Sequence, residues 1–155
     1  SLKYSSVDEV PDGATIAVAN DDSNLSVNLE DLQELGWIKL KDIPEDSYYT
    51  LFDIEENKKN LNFLEVDMSS RAAALQDEAD LAMIFYTNTG AAKYGYHLLK
   101  IFDENIAYPQ VVAVRDEDKD SQWVKDLMKA FTSDEQVERI NEKNQPDVCW
   151  KILFE

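Results

Sequence analysis

The chain has 155 residues, of which 32 are acidic and 15 are basic, and its formal net charge is -17. Such a surface repels phosphate backbones and anionic lipid heads, which excludes nucleic acid as a partner and any polybasic contact with a membrane. We interpret the acidity as a means of solubility. A cation-binding face is the alternative, but the acidic run of residues 116–120 lacks the glycine and glutamate spacing of a calcium loop.

The first part of the chain alternates between strand and helix patterns. Residues 11–13 (Pro-Asp-Gly) are a turn signal, and the β-branched, uncharged residues 15–19 predict a buried strand. Residues 20–24 are rich in helix N-caps. A helix is predicted next, because leucines recur at helical spacing at positions 25, 29, 32 and 35, and Gly36 is expected to end it.

The same alternation continues in the second part. Residues 61–66 predict a strand, residues 71–75 a short alanine-rich helix, and the continuous apolar runs 81–85 and 111–114 two further strands. A helix with a wide apolar stripe follows, formed by Trp123, Val124, Leu127, Met128 and Phe131. Strands that alternate with helices predict an α/β fold with a mostly parallel sheet flanked by helices.

Two predicted elements close the chain. Ser133 and Gln136 have the spacing of a capping box and predict the start of a second helix after the striped one. Apolar residues alternate with others over residues 148–154, which predicts a half-buried final strand.

The residue types that carry catalysis or bind metals are scarce. Cys149 is the only cysteine and His97 the only histidine, and neither has the partners of a nucleophile or of a zinc site. Glycine-rich phosphate loops are absent from the sequence. We therefore predict no catalytic residue, no metal and no cofactor, and a binding module rather than an enzyme. Open α/β sheets bind ligands at strand ends, which here are residues 20–24, 86–90 and 108–110.

At this point the sequence resembles a known family. Residues 6–21 are similar to the stretch S-x-D-E-L-P-D-G-A-T-V-A-I-P-N-D of the methionine-binding lipoproteins, the NlpA family of ABC importers. Four later stretches agree in the same order with the family patterns G-L-I-K-L-K, D-I-x-x-N-P-K-N-L, R-A-L-x-D-x-D and I-I-V-V-R-x-x-D-K-D; they are residues 36–41, 53–61, 71–80 and 111–120. The agreement covers nearly the whole chain.

The resemblance implies a periplasmic-binding-protein fold of type II, in which two α/β lobes close over a small solute. Residues 1–107 would form the second lobe, and residues 108–155 a return segment with two helices and a final strand. A first lobe would precede position 1. The implied partners are an amino acid or related solute and the permease and ATPase subunits of an ABC importer. The implied location is extracytoplasmic, with membrane anchoring as a lipoprotein through a lipobox upstream of this sequence.

The family's ligand-binding positions correspond to Asn20, Asn24, Val27, Phe85 and Gln110. Family members have an arginine at the position of Val27, where it grips the ligand carboxylate, and such a contact is worth about 1.5–3 kcal/mol. Phe85 replaces a ligand-binding asparagine, whereas Gln110 keeps an amide. Phe85 and its neighbour Tyr86 either line a pocket for a less anionic solute or cover the apolar surface that faces the first lobe.

Asp22 stands where the family usually has proline, and with Asp21 it should repel a second carboxylate. These departures predict weak or absent methionine binding and an altered specificity. The alternative is a vestigial or protein-interaction domain that keeps the lobe without transport. We also expect the apolar stripe of the first C-terminal helix to need a partner surface. In the absence of a first lobe, that surface is either a second copy, in a homodimer through the C-terminal helices, or the remaining sheet, onto which the helix folds back.

Overall fold

The computed structural model describes residues 1–84, 88–102 and 111–144, and for residues 88–90 the backbone alone. The chain divides into two compact units, Ser1–Phe102 and Asp103–Glu155. The first unit contains β1 (Thr15–Ala19), α1 (Asp22–Glu34), β2 (Ile38–Leu40), β3 (Ile54–Asn57), β4 (Asn62–Val66), α2 (Arg71–Ala74), β5 (Leu81–Ala82) and α3 (Asn88–Lys93). The second unit contains α4 (Gln122–Phe131) and α5 (Asp134–Lys143).

A three-stranded parallel sheet in the order β4-β1-β5 is the centre of the first unit. β1 pairs with β4 along its whole length, and Ile16 and Ala17 of β1 pair with Leu81 and Ala82 of β5. Because β1 is the middle strand, its side chains are enclosed on both faces, as its uncharged sequence predicts. The structure confirms the predicted α/β fold with a parallel sheet flanked by helices.

α1 supplies one of the layers that cover this sheet. Leu25, Leu29 and Leu32 are buried in one apolar cluster with side chains of β1. The helix ends at Glu34, and Gly36 takes a left-handed φ of 72°, a conformation that glycine adopts without steric cost. Both the helix and its terminating glycine are as predicted.

β2 and β3 were not predicted from the sequence, and they form an antiparallel pair. The pair is joined to the parallel sheet by a tight turn from Asn57 to Leu61. The Asn57 side chain donates to the Leu61 carbonyl at 2.9 Å and accepts from the Leu61 amide at 2.9 Å. Within this turn, Asn60 has a φ of 51°, and the Lys58 amide donates to the Trp37 carbonyl at 2.9 Å.

In the second unit, α4 and α5 confirm the two predicted helices. Ser133 caps α5, and its hydroxyl accepts a hydrogen bond from the Gln136 amide at 3.3 Å. The prediction of a strand at residues 111–114 is wrong: these residues are irregular and exposed, with Val111 78% exposed. An apolar run forms a strand only where a neighbouring strand supplies hydrogen bonds, and no described segment pairs with this one. The predicted strand at 148–154 lies outside the described residues.

Candidate functional site

The carboxyl end of β1 leads directly into the first turn of α1. Between them lies Asp21, the N-cap of the helix, whose carboxylate accepts from the Asn24 amide at 3.0 Å. The same oxygen accepts from the Asn24 side-chain amide at 2.8 Å and from the Ser23 hydroxyl at 3.1 Å. The hydrogen bond from the Asn24 backbone is the main reason that the pKa of Asp21 is lowered. The carboxyl end of β1, the kind of position where α/β proteins bind ligands, is therefore followed by a charged helix cap, Asp21.

Three of the five predicted ligand-binding residues lie at this junction. Asn20 is exposed at the end of β1, and Asn24 and Val27 are half-buried on α1. Residues three apart on a helix share a face, so Asn24 and Val27 lie on the same side of α1. The structure thus brings these three positions to the carboxyl end of β1, and the side chain at position 27 is aliphatic.

Phe85 and Gln110 fall outside the described residues, as do Tyr86 and Cys149. The predictions made for Phe85 and Gln110 therefore remain predictions.

Two polar residues that flank Val27 were missed by the sequence analysis. Asn28 is 5% exposed, and its side-chain oxygen accepts from the buried amide of Ala19 at 3.0 Å, which ties α1 to the last residue of β1. Ser26 is fully buried, and its hydroxyl accepts from the Tyr49 amide at 3.1 Å. A signal was present in the sequence, because Asn28 interrupts the apolar face of a helix whose other members are leucines.

The other missed residue is Arg71, the first residue of α2, which is 1% exposed. Its Nη1 donates to the carbonyl of Met83, just beyond β5, at 2.9 Å. Burial lowers its pKa, while the nearby charges of Asp21 and Asp67 act in the opposite direction. Arg71 thus places a buried positive charge close to the end of β5 and within electrostatic reach of the N-cap of α1.

The acidic side of α1 carries one perturbed group. Burial raises the pKa of the half-buried Asp31 to about 6, and the charges of Glu34 and Glu30 add to the effect. Elsewhere, His97 is exposed. Among the described residues, no three His, Cys, Asp or Glu side chains form a group that could hold a metal ion. Within the same residues, no helix combines the length and apolar character needed to cross a membrane.

The fold of this chain is shared with proteins of known structure. The chain is similar to a nutrient binding protein from Burkholderia cenocepacia solved bound to methionine, with 35% identity, a TM-score of 0.76, and coverage of 93% of this chain and 61% of that one. It is also similar to the structure of a "putative methionine-binding lipoprotein" from Bacillus subtilis, at 30% identity, a TM-score of 0.76, and coverage of 92% and 60%. The fold class is that of ABC-transporter substrate-binding proteins.

A sequence model of the NlpA lipoprotein family matches residues 1–150, and the chain belongs to this family. It is 35% identical over 149 residues to the D-methionine-binding lipoprotein MetQ of Escherichia coli K12, covering 91% of this chain and 53% of that protein. It is 38% identical over 139 residues to the probable D-methionine-binding lipoprotein MetQ of Pasteurella multocida, covering 87% and 49%. The chain thus spans about half the length of these curated relatives, and the resemblance noted from its motifs is confirmed.

Proposed function

We propose that this chain belongs to the solute-binding component of a bacterial ABC importer of the methionine or amino-acid uptake type, with weakened or altered ligand specificity. The observation that carries the proposal is the junction of β1 and α1. It holds Asn20, Asn24 and the charged cap Asp21, and it has Val27 where the resemblance implies a carboxylate-gripping arginine.

The proposed architecture follows the family. Residues 1–107 correspond to the second lobe, and residues 108–155 to the return segment. In this arrangement the β1–α1 junction faces a solute held between two lobes, and the permease and ATPase of the importer are the partners. The proposed location is extracytoplasmic, with a lipid anchor supplied upstream. The function is binding rather than catalysis.

The weakened affinity follows from two features of the junction. Val27 donates no hydrogen bond, so a ligand carboxylate loses a contact worth about 1.5–3 kcal/mol. Asp21 and Asp22 are both exposed and place negative charge at the start of α1. A free amino acid should therefore bind this edge less tightly than it binds the methionine-binding relatives.

A second candidate function is a vestigial or protein-interaction domain. The observation in its favour is the exposed apolar side of α4, where Trp123 is 51% exposed, Met128 48% and Phe131 46%. If these side chains meet a second copy of the chain, the product is a homodimer through the C-terminal helices.

A thermal-shift panel of L-amino acids tests the main proposal, because a ligand that binds only the native state must raise the melting temperature. We expect at least one solute to stabilise the chain and L-methionine to do so weakly. Micromolar binding of L-methionine by isothermal titration would contradict the weakened affinity. A panel in which no solute stabilises the chain would contradict the transport proposal and favour the interaction domain.

The variant Val27→Arg tests the specificity directly. It should raise the affinity for L-methionine by roughly tenfold to a hundredfold, the range that a bidentate contact supplies. Val27→Met is the matched control, because it adds comparable length without a donor and should leave the affinity low. Equal affinities of the two variants would show that position 27 does not meet the ligand.

A further inference from the structure

Arg71 is the one fully buried cation among the described residues. Arginine is rarely enclosed in this way unless its donors are all paired, because an unpaired buried N–H group forfeits its hydrogen bonds to water. Arg71 departs from that rule. Only its Nη1 has a partner, the carbonyl of Met83, while Nε and Nη2 are buried and have none among the described residues.

The two unpartnered nitrogens form one edge of the guanidinium group. Their N–H bonds run parallel, with the spacing that the two oxygens of a carboxylate accept. The third nitrogen is held by the main chain beyond β5, which fixes the plane of the group. The unpaired edge thus has the geometry for two parallel hydrogen bonds, although it is covered in this structure.

The neighbouring carboxylates do not occupy this edge. Asp21 accepts from Asn24 and Ser23, and Asp67 accepts from the hydroxyl of Ser70 at 2.9 Å and the amide of Ser69 at 2.9 Å. Among the described residues neither forms an ion pair with Arg71, although the charges of both act to raise its pKa. Burial has a larger effect than the attraction of the two carboxylates and lowers the pKa of Arg71. The two carboxylates thus do not fully offset the cost of burying the guanidinium charge. A further anion would stabilise it.

The position of Arg71 connects this edge with the candidate site. Met83, whose carbonyl accepts from the guanidinium group, follows β5. Asp21, whose charge acts on the pKa of Arg71, follows β1. Both residues lie at the carboxyl ends of parallel strands, where α/β proteins bind their ligands. The chain therefore lacks an arginine at position 27 but has a different arginine, Arg71, near the same carboxyl ends of the strands.

We propose that Arg71 is the carboxylate anchor of the solute site, with Nε and Nη2 donating to the two carboxylate oxygens. This inference rests on the proposed function and assigns it a solute class: small molecules with a free carboxylate. Because both nitrogens are covered, the carboxylate reaches them only through a local opening, which lowers the affinity relative to an exposed arginine.

The test pairs each L-amino acid of the thermal-shift panel with its C-terminal amide, beginning with L-methionine and L-methioninamide. The amide keeps the side chain and the amino group but removes the negative charge. We expect the acid to bind roughly tenfold to a hundredfold more tightly than its amide, the difference expected for hydrogen bonds to a charged acceptor.

Nuclear magnetic resonance of the arginine Nε–H groups locates the contact in the unmodified chain. The sequence has three arginines, and the other two, Arg115 and Arg139, are exposed and paired with Glu117 and Glu135. L-methionine should shift the Arg71 signal and slow its hydrogen exchange, whereas L-methioninamide should leave it in place. This measurement needs no substitution and so does not depend on a variant that folds.

Arg71→Lys assigns the signal and tests the bidentate edge, because lysine keeps the charge but lacks the fork. It should bind the acid about tenfold less tightly or worse. Arg115→Lys is the matched control and should bind like the unmodified chain.

The outcomes separate the two proposals. A solute that binds with its amide equally tight, or without moving the Arg71 signal, overturns the role of Arg71 and leaves the solute-binding function standing; in that case the unpaired edge holds water only. A panel in which no acid or amide binds overturns the function and the anchor together.

Discussion

α1 and α4 both carry apolar residues at helical spacing, but their apolar faces are buried to different extents. In α1, Leu29 and Leu32 are fully buried, although the helix also carries acidic residues and two buried polar ones. In α4, the apolar stripe is sharply segregated, yet Trp123 and Met128 are about half exposed. The clearer pattern belongs to the helix that is less buried.

The difference shows that an apolar stripe on a helix indicates a surface that another element should cover, but does not determine whether such an element is present. α1 has the parallel sheet beside it in the same unit, so even an imperfect stripe is enclosed. α4 presents more apolar surface than its own unit covers among the described residues. The free energy of unfolding should therefore depend mainly on the buried leucines of α1. Contacts with other molecules should depend on the exposed apolar side chains of α4.

The largest expected effect is the loss of a leucine from α1. Leu29→Ala should lower the free energy of unfolding by about 3 kcal/mol, because it leaves a cavity in the main core. Chemical denaturation measures this value. Met128→Ala on α4 is the matched control and should cost about 0.5 kcal/mol or less. Equal losses at the two positions would contradict the comparison.

A second effect concerns the buried polar residues of α1. Asn28→Ala should cost about 1–3 kcal/mol, because it leaves the buried amide of Ala19 without an acceptor. Urea titration of this variant against Asn141→Ala, an exposed asparagine of α5, isolates the effect of burial. If both substitutions are equally mild, the link between α1 and the end of β1 does not stabilise the fold.

These features differ in how far the sequence predicts them. β1 and α1 could be predicted because their signals are local: an uncharged β-branched run, and leucines at helical spacing before Gly36. β2 was missed because three residues are too few for a periodicity. Ile38 and Leu40 are buried and Lys39 is exposed, and the strand forms by pairing with β3, a partner that the sequence does not identify.

The site could be predicted only in part, for the same reason. Asn20, Asn24 and Val27 belong to a contiguous motif, so local sequence was enough to bring them together. Arg71 acquires its role from Met83 and Asp21, which are distant along the chain. The strand predicted at 111–114 failed because strand formation depends on a neighbour that the sequence does not identify.

A third effect is a dependence on pH that is specific to α1. The folded-state pKa of Asp31 is raised to about 6 from 3.8, so the folded chain binds this proton more tightly and loses stability as the pH rises through 6. Asp31→Asn should therefore stabilise the chain by about 1 kcal/mol near neutral pH, a value reduced because the group is half exposed. The gain should vanish at about pH 4.

Urea titrations of Asp31→Asn and the unmodified chain across this range measure the effect. Glu138→Gln, an exposed acid of α5, is the control and should show no such trend. A gain for Asp31→Asn that is constant with pH would indicate that the carboxylate charge is not responsible.

The smallest effect on stability is expected on α4. Trp123→Ser should change the free energy of unfolding by about 0.5 kcal/mol or less, because the indole is half exposed. If the stripe mediates a homodimer, the same change should convert dimer to monomer in sedimentation velocity. If the unmodified chain is already monomeric, the proposal of a homodimer is contradicted.

The turn after β3 has a consequence for how the first unit comes apart. Because the Asn57 side-chain amide bonds both the N–H and the carbonyl of Leu61, hydrogen bonds as well as the covalent chain join the end of the antiparallel pair to the start of β4. Neither sheet can fray at that end without releasing the other. The Leu61 amide should then exchange with solvent only when the whole unit opens, and its exchange rate would report the cooperativity of the first unit as one folding entity.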